Sequence, residues 1–207
     1  MPDAGSAIQP EEIAYLTCPR CWSLAPFTPY ATLTFRCSRC EWPFTLAAPA
    51  VASPAVPATT VAAVNTTGTV VAVTVTGGTL TFVYVNGAQV GTTAGTYLVP
   101  VSGSISITYS AAPTWAWALP AISAGVSAGG TALPFTAGGT SFTAGQVLII
   151  DPAGSADVVV VTGTPAGTSV PVGGMDLAHL TGVLVTVATL STALSGAGLE
   201  NVPLTAY

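Results

Sequence analysis

The chain has 207 residues, half of them hydrophobic (50%), yet only 5% are charged, with three basic residues against eight acidic ones and a formal net charge of -5. Ordinary soluble proteins carry about 25% charged residues, and three cations make too weak a phosphate grip for nucleic acid to be an expected partner. A mean hydropathy of +0.69 argues against disorder throughout, and the apolar residues are too often interrupted by Gly, Pro and Thr to give a bilayer span of about 20, so no membrane partner is expected either.

Residues 1–12 place Asp3, Glu11 and Glu12 where a secretory signal wants bases, and they lack an apolar core. They read as an N-terminal arm of a protein made in the cytoplasm without a signal peptide. Residues 13–44 hold every cysteine and every arginine of the chain. Cys18-Pro19-Arg20-Cys21 and Cys37-Ser38-Arg39-Cys40 repeat C-x2-C across a fifteen-residue insert. Each pair can wrap one side of a metal, and the two together complete a tetrahedral four-sulfur shell. One structural zinc ion is the expectation, because all four positions are filled and none is left for water. Iron in the same cage is chemically allowed, and two disulfides are the alternative that leaves the doubled spacing unexplained. So small a unit buries too little to fold unaided, so metal would supply its stability. Tyr15, Trp22, Phe27, Tyr30, Phe35, Trp42 and Phe44 are its candidate core, and Arg20, Arg36 and Arg39 offset the thiolate charge. The region resembles a zinc ribbon, a resemblance that implies metal binding and a structural or docking knob.

Residues 45–60, with the run AAPAVASPAVPATT from Ala47, read as an Ala/Pro linker. Proline removes backbone donors and favours extended chain. The alternative is an irregular segment packed along a neighbouring surface.

Residues 61–112 read as a small β domain. The β-branched run Thr69 to Thr76, the pair Gly77-Gly78 and the run Thr79 to Val85 predict a hairpin with a primed turn. Alternation assigns Leu80, Phe82 and Tyr84 to one face and Thr79, Thr81 and Val83 to the other. Asn86-Gly87 supplies another turn. Tyr97 to Val99 and Ser104 to Tyr109 complete a meander, with Ile105, Ile107 and Tyr109 on one face.

Residues 113–134 read as a second linker carrying Trp115 and Trp117. Their spacing points both rings the same way in an extended chain. They are candidate interface residues for a domain seam or a subunit contact, the alternative being a cap on the preceding core.

Residues 135–188 read as a second β domain, with strands at Val147 to Ile150, Asp157 to Val161, Thr168 to Val170 and Val183 to Val187. The chain's one histidine, His179, follows Asp176 by three residues, an acid spaced to orient an imidazole nitrogen. No serine stands in a nucleophile elbow. Asp151 and Asp157 straddle a turn beside valine-rich strands, and no lysine follows any Gly-Gly pair to make a phosphate loop. A histidine that fixes a loop by hydrogen bonds is the plainer reading, and no enzyme is expected. Residues 189–207 read as a C-terminal arm, with a short helix over Val187 to Leu194 as an option.

From Trp42 to Ile150 there is no Asp, Glu, Lys, Arg or His. A free monomer with that surface lacks the charge that limits association and blunts exposed strand edges. Small polar side chains allow close approach without desolvating ions, so dense packing in a homo-oligomer or larger assembly explains the gap.

The segments Phe142 to Ile150, Asp157 to Val161 and Val172 to Gly182, with a Gly-x-x-hydrophobic strand, a valine-rich strand and a late His-x-x-Gly, are similar to the β module of phage decoration and tail proteins. Leu80 to Tyr109 resembles the small immunoglobulin-like add-on domains of virions, departing from them in having no Glu or Lys on its strands. The resemblance implies a mostly β fold, in which a small N-terminal zinc ribbon is followed by two small antiparallel β-sandwich-like domains. It also implies a non-enzymatic structural protein of a tailed-phage virion, with capsid decoration or cement ahead of a tail role. Its partners would be copies of itself and the major capsid protein or other virion subunits. A bacterial surface or appendage protein and a ribbon-based adaptor are the alternatives.

Overall fold

Short β-branched runs separated by glycine-bearing turns make short strands, and the computed structural model, which describes residues 14–17, 24–27, 34–36, 39–40 and 43–190, is built from them. The fold is mostly β, arranged in several small antiparallel sheets. Near the N-terminus, β1 (Ala14–Thr17) pairs with β2 (Leu24–Phe27), and β3 (Thr34–Arg36) pairs with β4 (Pro43–Ala47).

Seven strands follow between residues 62 and 118: β5 (Ala62–Val64), β6 (Val71–Thr76), β7 (Thr79–Val85), β8 (Ala88–Gly91), β9 (Gly95–Val99), β10 (Ser104–Ala111) and β11 (Thr114–Ala118). They divide into a four-stranded sheet in the order β5-β10-β7-β8 and a three-stranded sheet in the order β11-β6-β9. Val71, Val73, Val75, Val99 and Trp117 from the three-stranded sheet share one core with Val83, Ile105 and Ile107 from the four-stranded sheet. Each fully buried valine there stabilises the fold by about 1.5–3 kcal/mol relative to exposure.

The expected hairpin at Gly77-Gly78 is corrected. Both glycines have positive φ, 66° and 67°, but β6 and β7 belong to different sheets. β7 pairs with β10 and β6 pairs with β11, and the register, which shifts at Tyr109↔Leu80 and shifts back, has the same offset at Ile105↔Val85, Ala111↔Thr79, Thr114↔Thr76 and Ala118↔Ala72. The two chains therefore form one long ribbon folded over at a corner, with Gly77-Gly78 on one strand and Ala111 to Pro113 on the other. A Cβ on Gly78 would lie 2.6 Å from the Ala111 carbonyl oxygen and 2.7 Å from the Pro113 nitrogen. Glycine is needed there because two backbones touch.

A second correction concerns the faces of β7. The ladder steps from Thr108↔Phe82 to Tyr109↔Leu80, leaving Thr81 as a bulge, and a bulge reverses the alternation beyond it. Leu80 consequently packs with Val83 and Val85 against the shared core, while Phe82 and Tyr84 contact each other at 6.0 Å between ring centroids. Other expectations hold. Ile105, Ile107 and Tyr109 pack together in that core, and Asn86-Gly87, at φ 51° and 78°, joins β7 to β8.

The stretch 45–60 ends as chain clamped to this unit. Trp115 Nε1 donates to the Pro54 carbonyl at 2.8 Å, and the Trp117 amide donates to Ser53 Oγ at 2.7 Å. Tyr109 OH donates to the Pro57 carbonyl at 2.8 Å. Prolines cannot offer amides, so the contacts use their carbonyls instead. Packing along a neighbouring surface, not a free spacer, describes residues 53–60.

Beyond Ala118 the described strands are β12 (Ala132–Pro134), β13 (Val147–Ile150), β14 (Asp157–Val160), β15 (Ser169–Pro171), β16 (Val185–Val187) and β17 (Thr189–Leu190), with a 3-10 turn at Gly139–Ser141. The sheet orders are β12-β15, β14-β13-β16 and β17-β4-β3. The stretch 113–134, expected as a linker, thus contributes β11 to the upstream sheets and β12 to the downstream ones. The optional helix from Val187 is corrected over its described part, where β16 and β17 are strands. Of the arm expected over 189–207, Thr189 and Leu190 pair with β4 as β17, while its remainder and the arm at 1–12 lie outside the described residues.

The downstream core holds Leu133, Phe135, Phe142, Leu148, Ile150, Val159, Val170 and Val185, and it also takes in Val70, Ala72 and Leu98 from the upstream strands. Phe135 and Phe142 stack with centroids 5.0 Å apart. β6 is therefore lined by apolar contacts on both faces near its start, with Val71 and Val73 on one side and Val70 and Ala72 on the other. Thr69 and Thr186, both fully buried, hydrogen-bond across the junction at 3.0 Å.

Candidate functional site

The expected zinc centre is corrected. Among the described residues no group of three or more His, Cys, Asp or Glu side chains is placed to hold a metal ion. β1–β2 and β3–β4 bracket the two C-x2-C segments, but of the four cysteines only Cys40 is among the described residues, and Cys18, Cys21 and Cys37 lie outside them. No described group supplies the metal with its ligand shell. Of the arginines expected to balance its charge, Arg39 is exposed, Arg36 ends β3, and Arg20 lies outside the described residues.

An acid distant in sequence, Asp157, stands beside His179. Its Nε2 stands 3.5 Å from Asp157 Oδ2, and both side chains are 2% exposed. That separation exceeds hydrogen-bond length, and Nε2 has no hydrogen-bond partner among the described residues. Asp157 Oδ2 also accepts from the Leu177 amide at 3.2 Å. The backbone of His179 forms a two-bond bridge with Val126, His179 N donating at 2.8 Å and Val126 N at 2.9 Å. The arrangement binds three segments, β14, the loop at 176–182 and the chain at 126. A His–Asp pair is the raw material of acid–base chemistry, which needs a nitrogen within reach of substrate; this one is enclosed. The sequence signal for Asp157 was an acid opening an otherwise all-valine strand, since a carboxylate buried there demands a partner.

Trp115 and Trp117 do point the same way, with centroids 5.7 Å apart at an interplanar angle of 71°. They face the upstream core, where Trp117 is 6% exposed and Trp115 packs partly buried beside it. Of the two alternatives, the cap on the preceding core is the arrangement observed, closed over by residues 53–57.

Two grooves flank the contact between the upstream and downstream units. The larger, of about 470 Å³, is bordered by Val85, Val90, Tyr97 and Pro100 on one side and Ala137 and Gly138 on the other. The smaller, of about 370 Å³, runs along Ala72, Thr74, Ala118 and Phe135 on the opposite flank of Ala137. Neither lining contains an Asp, Glu, Lys, Arg or His, as the charge gap in the sequence requires. Gly138 shapes the boundary: at φ 71° a Cβ would sit 2.8 Å from Leu98 Cβ. The large apolar side chains exposed among the described residues are Val61, Val64, Val90, Leu180 and Leu184, of which Val90 borders the larger groove. No helix among the described residues is long and apolar enough to cross a membrane. Comparison with protein-family models, curated proteins and solved structures found no match.

Proposed function

We propose that the chain is a non-enzymatic structural protein of a tailed-phage virion, set on the capsid as a decoration or cement subunit, with a β body of two fused sandwich-like units. The observation that carries the reading is the surface of that body. The outward positions of β7, β8, β10 and β11 are Thr, Ser, Gln, Ala, Val90 and aromatic residues, and from Trp42 to Ile150 no ionised side chain occurs. Such a surface meets a neighbour with little desolvation cost and gives a free monomer little protection from association. Two further features support it. The Ala/Pro segment is fastened by Trp115, Trp117 and Tyr109, and the buried His179–Asp157 pair stiffens a loop without opening to solvent. A rigid body with uncharged faces suits repeated contacts in a shell.

The test is to purify virions from the source phage and quantify this chain against the major capsid protein. A fixed stoichiometric ratio, with particles that lose thermal stability when the chain is deleted and regain it when recombinant protein is added, is the expected result. Absence from purified particles overturns the reading.

A further inference from the structure

We infer that the turn bearing Leu180 on one copy of the chain docks into the groove bordered by Val90, Tyr97 and Ala137 on a second copy. The inference rests on the assembly reading for its biological setting alone.

Leu180 is 79% exposed, more than any other large apolar side chain among the described residues. A single exposed leucine is ordinary, but this one is displayed on a fastened loop. The residue before it is bridged to Val126, and Gly182 N donates to the Ile122 carbonyl at 2.9 Å. The turn itself closes with Val183 N donating to the Leu180 carbonyl at 3.3 Å, with Gly182 at φ 88°. The buried His179–Asp157 pair lies directly beneath. A side chain held out on such a frame has little backbone entropy left to lose on binding.

The groove is the complementary half. Several of its polar side chains are already engaged inside the chain: Asn86 Oδ1 accepts from the Ser104 amide at 2.8 Å, and Ser141 Oγ donates to the Leu98 carbonyl at 3.1 Å. Thr96 Oγ1 pairs with Thr74 Oγ1 at 3.0 Å, and Tyr97 OH donates to the Thr93 carbonyl at 2.6 Å. The greater part of the surface open to an occupant is apolar, from Val85, Val90, Tyr97, Pro100 and Ala137, with Thr140 exposed beside it. A volume of about 470 Å³ admits a leucine with part of its turn, and lies in the range of about 300–1,000 Å³ in which side-chain-sized ligands are held. Charge matches as well: Leu180-Thr181-Gly182-Val183-Leu184 carries no ion and neither does the groove, so docking strips water from no charge. An anionic polymer or a basic peptide finds nothing here to pair with. Knob and groove are different patches of one chain, so the contact is heterologous and links copies in series or reciprocally.

The experiment is sedimentation of the full chain over a concentration series, comparing wild type with L180D and V90D. Both replaced side chains are exposed, 79% and 48%, so the variants keep the fold, which their thermal unfolding checks. Wild type is expected to self-associate, and each variant alone to associate at least about tenfold more weakly, as expected for losing a central apolar anchor. An equimolar mixture of L180D and V90D retains one intact knob and one intact groove, and is expected to recover a heterodimer. A wild type that stays monomeric, an L180D that associates like wild type, or a mixture that stays monomeric each overturns the inference. Failure here is separable from failure of the virion reading: L180D incorporated into particles as well as wild type sinks the docking and leaves the reading standing. Absence from particles with intact self-association does the reverse.

Discussion

Thr69 and Thr186 close a circuit of hydrogen bonds across the junction of the two β units. Val187 N donates to Thr69 Oγ1 at 2.8 Å, and Thr186 Oγ1 donates to the Val187 carbonyl at 3.2 Å. With the Thr186 proton committed, the 3.0 Å contact between the hydroxyls has Thr69 as its donor. Every polar atom in the circuit is then satisfied at zero exposure. Thr69→Val keeps the shape but leaves the Val187 amide buried without a partner, and is expected to destabilise by about 1–3 kcal/mol. Thr69→Ser keeps the circuit and is expected to lose less. Denaturant midpoints check both, and an unchanged midpoint for Thr69→Val refutes the circuit's contribution.

The folded ribbon predicts an asymmetry between two adjacent glycines. Gly77 and Gly78 share nearly the same positive φ, but a Cβ on Gly77 meets nothing within 4 Å, whereas one on Gly78 meets the backbone of Ala111 and Pro113. Gly77→Ala is expected to cost only the left-handed backbone term of about 1–2 kcal/mol. Gly78→Ala adds overpacking of about 1–3 kcal/mol, because backbone at a corner cannot swing aside as a side chain can. A simple hairpin, as the local pattern suggested, offers no such difference. Equal midpoints for the two variants would falsify the corner.

Those two sites show where the sequence was legible. Runs such as Val71 to Thr76 and Ser104 to Tyr109 announced strands because β-branched and alternating side chains suit a pleated surface, and Asn86-Gly87 announced a turn for the same local reason. Gly77-Gly78 obeyed the local rule too, but whether paired glycines reverse a strand or bend it is decided by Ala111 to Pro113, far along the chain. The bulge at Thr81 was equally hidden, since it is a property of the ladder with β10. The fusion of the two units did leave a trace. Val70-Val71-Ala72-Val73 is a continuous apolar run with no polar face, the pattern of a strand buried on both sides. At the candidate site, His179 was visible as the chain's one imidazole and Asp176 as the acid near it in sequence, whereas Asp157, 3.5 Å from its Nε2, stands 22 positions upstream.

The Ala/Pro stretch is expected to behave as part of the body. Residues 53–60 are held by bonds from Trp115, Trp117 and Tyr109, and Thr60 N donates to the Ile107 carbonyl at 2.8 Å. Limited proteolysis with an elastase-type enzyme, which accepts small residues, should leave this stretch intact while wild type is folded. Trp115→Phe keeps the ring contact with Trp117 and removes the bond to Pro54, costing about 0.5–1.5 kcal/mol. Cleavage within 53–60 is then expected to appear at lower protease concentration. Ready cleavage in wild type would show a mobile spacer instead.

The buried His179–Asp157 pair predicts a graded series of variants. Asp157→Ala removes the acceptor of the Leu177 amide and an acid placed beside the imidazole. Leaving the Leu177 amide without its acceptor costs about 1–3 kcal/mol, and the loss falls first on the segments joined there. Amide exchange at Val126, His179 and Gly182 should accelerate before exchange in β6 or β13, because those three amides make the loop's own backbone bonds. Asp157→Asn retains a side-chain oxygen for the Leu177 amide and is expected to lose less than Asp157→Ala. Replacing both partners, Asp157→Val with His179→Leu, leaves no uncompensated charge and should recover part of the loss, since apolar side chains of similar bulk can replace a buried pair at small cost. Exchange rates that rise uniformly across the β body would assign the pair to global stability alone. Local acceleration confined to the loop, with partial recovery in the double variant, identifies it as the anchor of the turn that displays Leu180.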